Sequence, residues 1–396
     1  MLTRMPTTAF PISLLDIAAS SRVLWSREKF IRVFELEFAR FIGAKYAFLL
    51  DSGTAAFYVV IRAFQHLIGK NEVVLPAYTV PTLTLAIERA GLKTRLCDIS
   101  TETFNLDHTQ LDRVITRDTL CVVPVHMFGY PCSVEPIQRL LSRKNIFVFE
   151  DACQAPGARL NTEMVGTLGD AACFSLCKGK NFSTFNGGIA TTNSDDIAER
   201  IRIERDALPS YSIFRKALTA CKLIGLSLAM RPFFYKVLYP LIAPFKSTEV
   251  HTKFNPMDYT EFQAMIGMRL LSKLESINRV RWKNGVKLID GLKSFDSLIT
   301  PQIIDGAEPV FNHLPVVFKT PASIEPIRIA LWRKGIDTAR MYERPIHHIY
   351  DLGYGVERDP FPSATYVAER LVTLPTHPYL GEKDLDNIIG AFSEFR

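Results

Sequence analysis

Between residues 28 and 205 the chain switches repeatedly between helical and strand periodicity, and no other feature of the sequence constrains the fold as much. Apolar residues recur at helical spacing over 28–41, 55–67, 80–90 and 134–142. Short β-rich runs stand among them at 73–75, 94–99, 120–126, 146–150, 171–176 and 189–192. Repeated strand–helix alternation implies an α/β fold, with a mostly parallel sheet covered by helices on both faces. Ligands of such sheets sit beyond the carboxyl ends of the strands, so the residues that close each strand carry the functional information.

A length of 396 residues suits one large and one smaller domain. Hydrophobic residues make up 47% and charged residues 22%, which is globular rather than disordered. The net charge of +6 is spread along the chain, and no Lys/Arg run with interleaved aromatics marks a nucleic-acid surface. Seven cysteines form no Cys-x-x-Cys pair and no cysteine/histidine zinc spacing, so no metal is expected. They read as reduced, buried thiols of a cytoplasmic protein. Residues 1–15 lack the apolar core of a secretion signal.

The alternation breaks at 207–248. This stretch has no Asp or Glu but carries Arg215, Lys216, Lys222, Arg231, Lys236 and Lys246 between apolar runs at 223–230 and 237–245. Neither run approaches the roughly 18 apolar residues of a membrane span, and Pro232, Pro240 and Pro244 would break a long helix. Such a segment either lies on an anionic membrane surface through 215–246, at the inner face of the membrane, or packs across a subunit contact or over the active site. Beyond it a helix is expected over 259–277, then a strand at 314–318, a helix at 324–334 and a final helix after Gly381. We therefore expect a large domain at 1–250, including the insert, and a small α+β domain at 251–396.

Three strand ends carry chemistry in a fixed order. Ser52-Gly53-Thr54 opens a helix, where free N–H groups and hydroxyls suit a phosphate, or simply form an N-cap. Asp151 closes an apolar strand; its carboxylate suits a pyridinium nitrogen, or again a helix cap. Ser175 ends the next strand within reach of the same phosphate, and Lys180 follows five residues later in a polar loop. A lone loop lysine is ordinarily just solvated. Placed after a phosphate loop, a strand-end Asp and a strand-end Ser, it becomes the amine of a pyridoxal 5'-phosphate (PLP) site.

The chain resembles the DegT/DnrJ/EryC1/StrS family of sugar aminotransferases, within the fold type I PLP enzymes. The matching stretches are Asp51-Ser-Gly-Thr-Ala-Ala, Leu75-Pro-Ala-Tyr-Thr, Val125-His-Met-Phe-Gly, Glu150-Asp-Ala-Cys-Gln-Ala and Gly169-Asp-Ala-Ala-Cys-Phe-Ser, with Gly179-Lys-Asn, Asn186-Gly-Gly and Gln263-Ala-Met-Ile-Gly. The resemblance implies a fold type I PLP-transferase with Lys180 as the Schiff-base lysine and general acid/base. Asp151 would pair with the pyridine nitrogen, and Gln154 would neighbour the ring hydroxyl. Gly53, Thr54 and Ser175 would bind the phosphate. It further implies a homodimer in which a partner-chain Asn reaches the phosphate, with Asn255 as the candidate. Tyr342 and His347, in the segment resembling Tyr…Pro-x-His, are the candidate sugar contacts, although a lone His is more often structural. The implied reaction moves an amino group from an amino acid, glutamate, to a keto sugar for cell-surface glycan or exopolysaccharide biosynthesis. A dehydrating branch of the family has His in place of the lysine, and Lys180 separates this chain from it.

Two features depart from the family pattern. Val80 stands where an aromatic ring usually stacks on the cofactor, so either an aliphatic side chain covers the ring or Tyr78 does so from a neighbouring position. The insert at 207–248 is the other. It motivates an alternative reading, a membrane-surface protein of the same fold acting on a lipid-linked or non-sugar substrate, or a scaffold without turnover.

Overall fold

Alternate residues of the strands supply two different cores. In the computed structural model Phe48, Leu50, Phe149, Cys173 and Ala190 face one apolar cluster, while Ala47, Leu49, Ala172, Phe174 and Ile189 face another. A two-residue period with both faces buried is what a sheet covered by helices on each side requires. The described residues are 5–8, 12, 14–20, 29–210, 218, 221, 225, 254–257, 259–320, 324–355 and 358–395. The expected domain boundary at 250, and nearly all of the insert at 207–248, lie outside them.

The central sheet has seven strands: β1 (Tyr46–Leu50), β2 (Glu72–Pro76), β3 (Lys93–Cys97), β4 (Thr119–Val122), β5 (Phe147–Asp151), β8 (Ala171–Ser175) and β9 (Gly188–Thr192). Their spatial order is β1-β9-β8-β5-β4-β2-β3. Every neighbouring pair from β3 to β8 is parallel, and β9 runs antiparallel to both β8 and β1. The carboxyl ends of β1, β2, β5 and β8 therefore lie along one edge. The expected strands are all present. β1 was not expected, because Tyr46–Leu50 is a continuous apolar run without alternation and follows a helix by only three residues.

Around the sheet lie α1 (Leu14–Ser20), α2 (Phe30–Ile42), α3 (Gly53–Ile68), α4 (Thr82–Arg89), α5 (Leu111–Val114), α6 (Glu135–Leu141) and α7 (Asp195–Asp206). On α2, Phe30, Phe34, Phe38 and Ile42 repeat at four-residue spacing, and all four are buried. α3 is buried along most of its length, and the Ser52 hydroxyl caps it by accepting from the Ala55 N–H at 3.1 Å.

The helix expected at 259–277 continues to Leu292 as α8 (Glu261–Leu292) and packs against α2. No Pro interrupts it, and buried residues recur down to Leu292. A short antiparallel sheet follows, with β12 (Leu314–Phe318) between β10 (Leu298–Ile299) and β13 (Leu371–Leu374). Its helices are α9 (Glu325–Arg333), α10 (Pro362–Arg370) and α11 (Glu382–Ala391). A third small sheet joins β6 (Arg159–Leu160) to β7 (Glu163–Met164) and β11 (Ala307–Glu308). Among the described residues, no helix is long and apolar enough to cross a membrane.

Candidate active site

Three strand ends meet at one cleft of about 560 Å³. β1 delivers Ser52, Gly53 and Thr54; β5 delivers Asp151 and the turn carrying Cys153 and Gln154; β8 delivers Ser175, followed by Lys178 and Lys180. From the other side come Met341, Tyr342, Glu343, Arg344 and Ile349. The order read from the sequence is thus one place in space.

The floor is tight. A Cβ on Gly53 would lie 2.9 Å from the Ser175 Cβ and 3.0 Å from the Cys153 Sγ, so only glycine lets the start of α3 sit against β8. The N-terminus of α3, with the Thr54 and Ser175 hydroxyls nearby, makes a cradle suited to a phosphate. The Thr54 and Thr82 hydroxyl oxygens are 3.1 Å apart, which ties the starts of α3 and α4 together.

Asp151 is 3% exposed, and its Oδ1 accepts from the Cys153 N–H at 3.0 Å. Its neighbour Glu150 is fully buried and anchors the strand end. The Glu150 carboxylate accepts from the N–H groups of Gly166, Leu168 and Gly169 at 2.7–2.8 Å. His126 Nδ1 accepts from the Cys132 N–H, so Nε2 carries the proton that it donates to Glu150 at 2.9 Å. The His126 backbone N–H then donates to the Asp151 carbonyl at 2.9 Å. Asp151 therefore stands on a saturated polar support.

Gln154 lines the cleft with its Nε2 3.4 Å from the Tyr342 hydroxyl, and its Oε1 accepts from the Phe128 N–H. Cys153 and Cys173 lie sulfur to sulfur at 3.8 Å, and that contact, followed by burial, keeps the Cys153 thiol well above its ordinary range. All cysteines among the described residues are free.

Of the candidates named from the sequence, Gly53, Thr54, Val80, Asp151, Gln154, Ser175, Lys180, Asn255 and Tyr342 all line the cleft. Asn255 does so in its own chain, next to Phe254, and Arg89 donates to the Phe254 carbonyl at 3.0 Å. Tyr78 does not line it: the ring is fully buried behind Tyr342, edge to face at 5.5 Å. The aliphatic Val80 is the side chain at the cleft wall. His347 is also absent from the lining; its Nε2 is 3.1 Å from Asp359, and its ring packs on Phe361. Behind Lys180 stands a polar wall that no spacing in the sequence marked, formed by Asn278 and Arg281 of α8 with Asn312 and His313. The one sequence signal pointing at it was Asn181, in the Gly-Lys-Asn triplet.

Residues 13–393 match the DegT/DnrJ/EryC1/StrS aminotransferase family. The chain belongs to this family. It is 28% identical over 364 residues to the dTDP-3-amino-3,6-dideoxy-alpha-D-galactopyranose transaminase of Aneurinibacillus thermoaerophilus, covering 91% of this chain and 89% of the relative. It is 27% identical over 372 residues to the spore coat polysaccharide biosynthesis protein SpsC of Bacillus subtilis, covering 91% and 88%. The crystal structure of DesV from S. venezuelae superposes with a TM-score of 0.78 at 25% identity, covering 96% of this chain and 94% of that one. The fold is that of the fold type I PLP aminotransferases, and the chain is a PLP-dependent aminotransferase. Its residues fit that cofactor: the Gly53 cradle for a phosphate, a buried carboxylate at Asp151, and Lys180 on the same cleft.

Proposed function

We propose that this aminotransferase moves an amino group from an amino acid, glutamate, to a keto sugar in the biosynthesis of a cell-surface glycan or exopolysaccharide. The observation that carries the reading is the convergence of Gly53, Thr54 and Ser175 with Asp151 and Lys180 on a single cleft. PLP, when bound, supplies the electron sink and carries the amino group between the two substrates. Gly53, Thr54 and Ser175 hold its phosphate, joined by Asn255. Asp151 keeps the ring nitrogen protonated, and Gln154 stands beside the ring hydroxyl.

Lys180 Nζ would hold the cofactor and, once freed, is the amine on this cleft that would take and return the proton moved in transamination. The same amine would serve the half-reaction with the keto sugar. Val80, at the cleft wall, would offer the ring an aliphatic surface. Tyr342 and the charged rim of Lys178, Glu343 and Arg344 face the substrates.

Visible absorption of the purified protein tests this reading. The PLP-loaded protein absorbs in the visible, and L-glutamate bleaches that band in a single turnover. Lys180→Ala removes both the lysine-linked band and turnover, by a factor on the order of 10³ or more. A protein that stays colourless with added PLP overturns the proposal.

We further propose a cytoplasmic homodimer whose basic insert at 207–248 touches anionic lipid. The insert's six cationic residues, without a single carboxylate, support that contact. Co-sedimentation with phosphatidylglycerol vesicles is expected for the full chain and lost on deletion of 215–246. Unchanged sedimentation assigns the insert to a protein contact instead.

A further inference from the structure

Lys180 and the Asp151–Gln154 turn belong to different strands, yet one side chain from a third element holds both. Asn278, in the middle of α8 and 8% exposed, accepts through Oδ1 from the Asn181 Nδ2 at 2.8 Å and donates through Nδ2 to the Pro156 carbonyl at 2.9 Å. Asn181 follows Lys180 directly and is fully buried; Pro156 lies two residues after Gln154. The carbonyl of Pro156 can only accept, so the orientation of the Asn278 amide is fixed by its partners. The carboxamide carries its donor and its acceptor on two separate atoms, whereas a hydroxyl donates and accepts at one.

The chain makes room for the contact. Gly157 adopts φ +88°, and a Cβ there would lie 2.6 Å from the Asn278 Nδ2. A second support reaches the lysine loop from β12's approach: Asn312 Oδ1 accepts from the Asn181 backbone N–H at 2.9 Å. Arg281, one helical turn beyond Asn278, in turn donates to the Phe311 and Asn312 carbonyls at 3.3 and 3.2 Å. Asn181 is thereby held by side chain and main chain at once. Through Asn181 these bonds tie the main chain beside Lys180 to the segment that follows Gln154.

We propose that Asn278 is a positioning residue for transamination. It sets the span between the Lys180 amine, which moves the proton, and the Asp151–Gln154 turn, which holds the cofactor ring, with Asn312 as the second strut. The inference rests on the aminotransferase reading of the cleft. Proton transfer demands heavy-atom approach within hydrogen-bond reach, so a small displacement of one loop against the other lowers the rate without removing any reacting group.

The test compares Asn278→Ala with Asn284→Ala in full-length protein. Asn284 lies on the same helix, is similarly buried and donates to the Thr376 and His377 carbonyls, with no hydrogen bond to either cofactor loop among the described residues. Five quantities are read: the thermal midpoint, the fraction of chains whose Lys180 peptide carries PLP after borohydride reduction, the rate of PLP release, kcat, and KM for glutamate. Both variants are expected to melt earlier. Only Asn278→Ala is expected to release PLP about tenfold faster, to lower borohydride fixation and to lower kcat about tenfold with KM for glutamate little changed, one lost hydrogen bond being worth about that factor. Asn312→Ala is expected to follow Asn278→Ala with a smaller effect, and it stands in if Asn278→Ala fails to fold. Equal PLP release and fixation in the Asn278, Asn312 and Asn284 variants would overturn the inference while leaving the aminotransferase reading intact. A wild-type protein that does not fix PLP on Lys180 overturns the latter.

Discussion

The cradle at the strand ends uses short side chains and backbone N–H groups set on an apolar sheet, whereas the wall behind Lys180 is held by buried carboxamides, imidazoles and a guanidinium. In the cradle, position is set by contact: Gly53 against Ser175 and Cys153, with β5 and β8 paired in register at Asp151 and Cys173. In the wall, position is set by hydrogen bonds between residues far apart in sequence, such as Asn181 to Asn278 and Arg281 to Thr376, while Asn181 Oδ1, Arg281 Nε, Asn312 Nδ2 and His313 Nδ1 are buried without a hydrogen-bond partner among the described residues. A fault in the first region is an error of shape. A fault in the second is a lost hydrogen bond or an added charge at a buried site. The two regions should therefore fail under different perturbations.

The larger effect comes from breaking the cradle by shape alone. Gly53→Ala adds one methyl group with 2.9 Å to the Ser175 Cβ, and overpacking of this kind costs about 1–3 kcal/mol. Because α3 must shift from β8 to relieve it, the cost falls on the phosphate position. PLP affinity is expected to fall about 10- to 100-fold, since each 1.4 kcal/mol is a factor of ten. Equilibrium dialysis of PLP against the two proteins measures this. An unchanged dissociation constant would show that the close approach of α3 to β8 does not set the phosphate site.

The same contrast explains what could be read from the chain. Asp151 and Ser175 each end a short apolar run, and Gly53 and Thr54 open a helix, so period and punctuation mark them without any knowledge of neighbours; Lys180, in a polar loop, is marked only by its place after them. Their convergence follows from the parallel order of β1, β5 and β8. Asn278 and Arg281 lie within a 32-residue helix among other polar residues, and only the packing of α8 distinguishes them from solvated ones. His347 illustrates the converse: a histidine in the right segment whose ring is engaged by Asp359 and not by the cleft. β1 was hidden because a strand buried on both faces lacks alternation. Tyr78 and Val80 were equivalent by sequence, and the structure separates them by turning one ring into the core.

A smaller effect sharpens the contrast from the side of the wall, through pH. His313 and His377 are 4% and 2% exposed. Burial, reinforced by the positive charges of Arg281 and Lys180, lowers the His313 pKa to about 3; burial and Arg281 lower that of His377 to about 4. Arg281 is itself a buried cation that donates to the Phe311 and Asn312 carbonyls and the Thr376 hydroxyl, and desolvation brings its pKa down to about 10. Both imidazoles are thus neutral in the folded chain, while in the unfolded chain they take up protons below about 6.5. The unfolded state then binds more protons, so stability is complete above pH 6.5 and declines as pH falls toward 4. Each histidine contributes a slope approaching about 1.4 kcal/mol per pH unit. The cofactor-free protein isolates this effect from any acid loss of PLP. Urea unfolding between pH 7.5 and 4.5 should show stability falling steeply below 6.5, less so in His313→Gln and least in His313→Gln/His377→Gln. Gly53→Ala, which perturbs shape and not charge, should retain the wild-type slope. A slope in the double variant equal to that of the wild type would place the acid sensitivity elsewhere and remove the electrostatic half of the contrast.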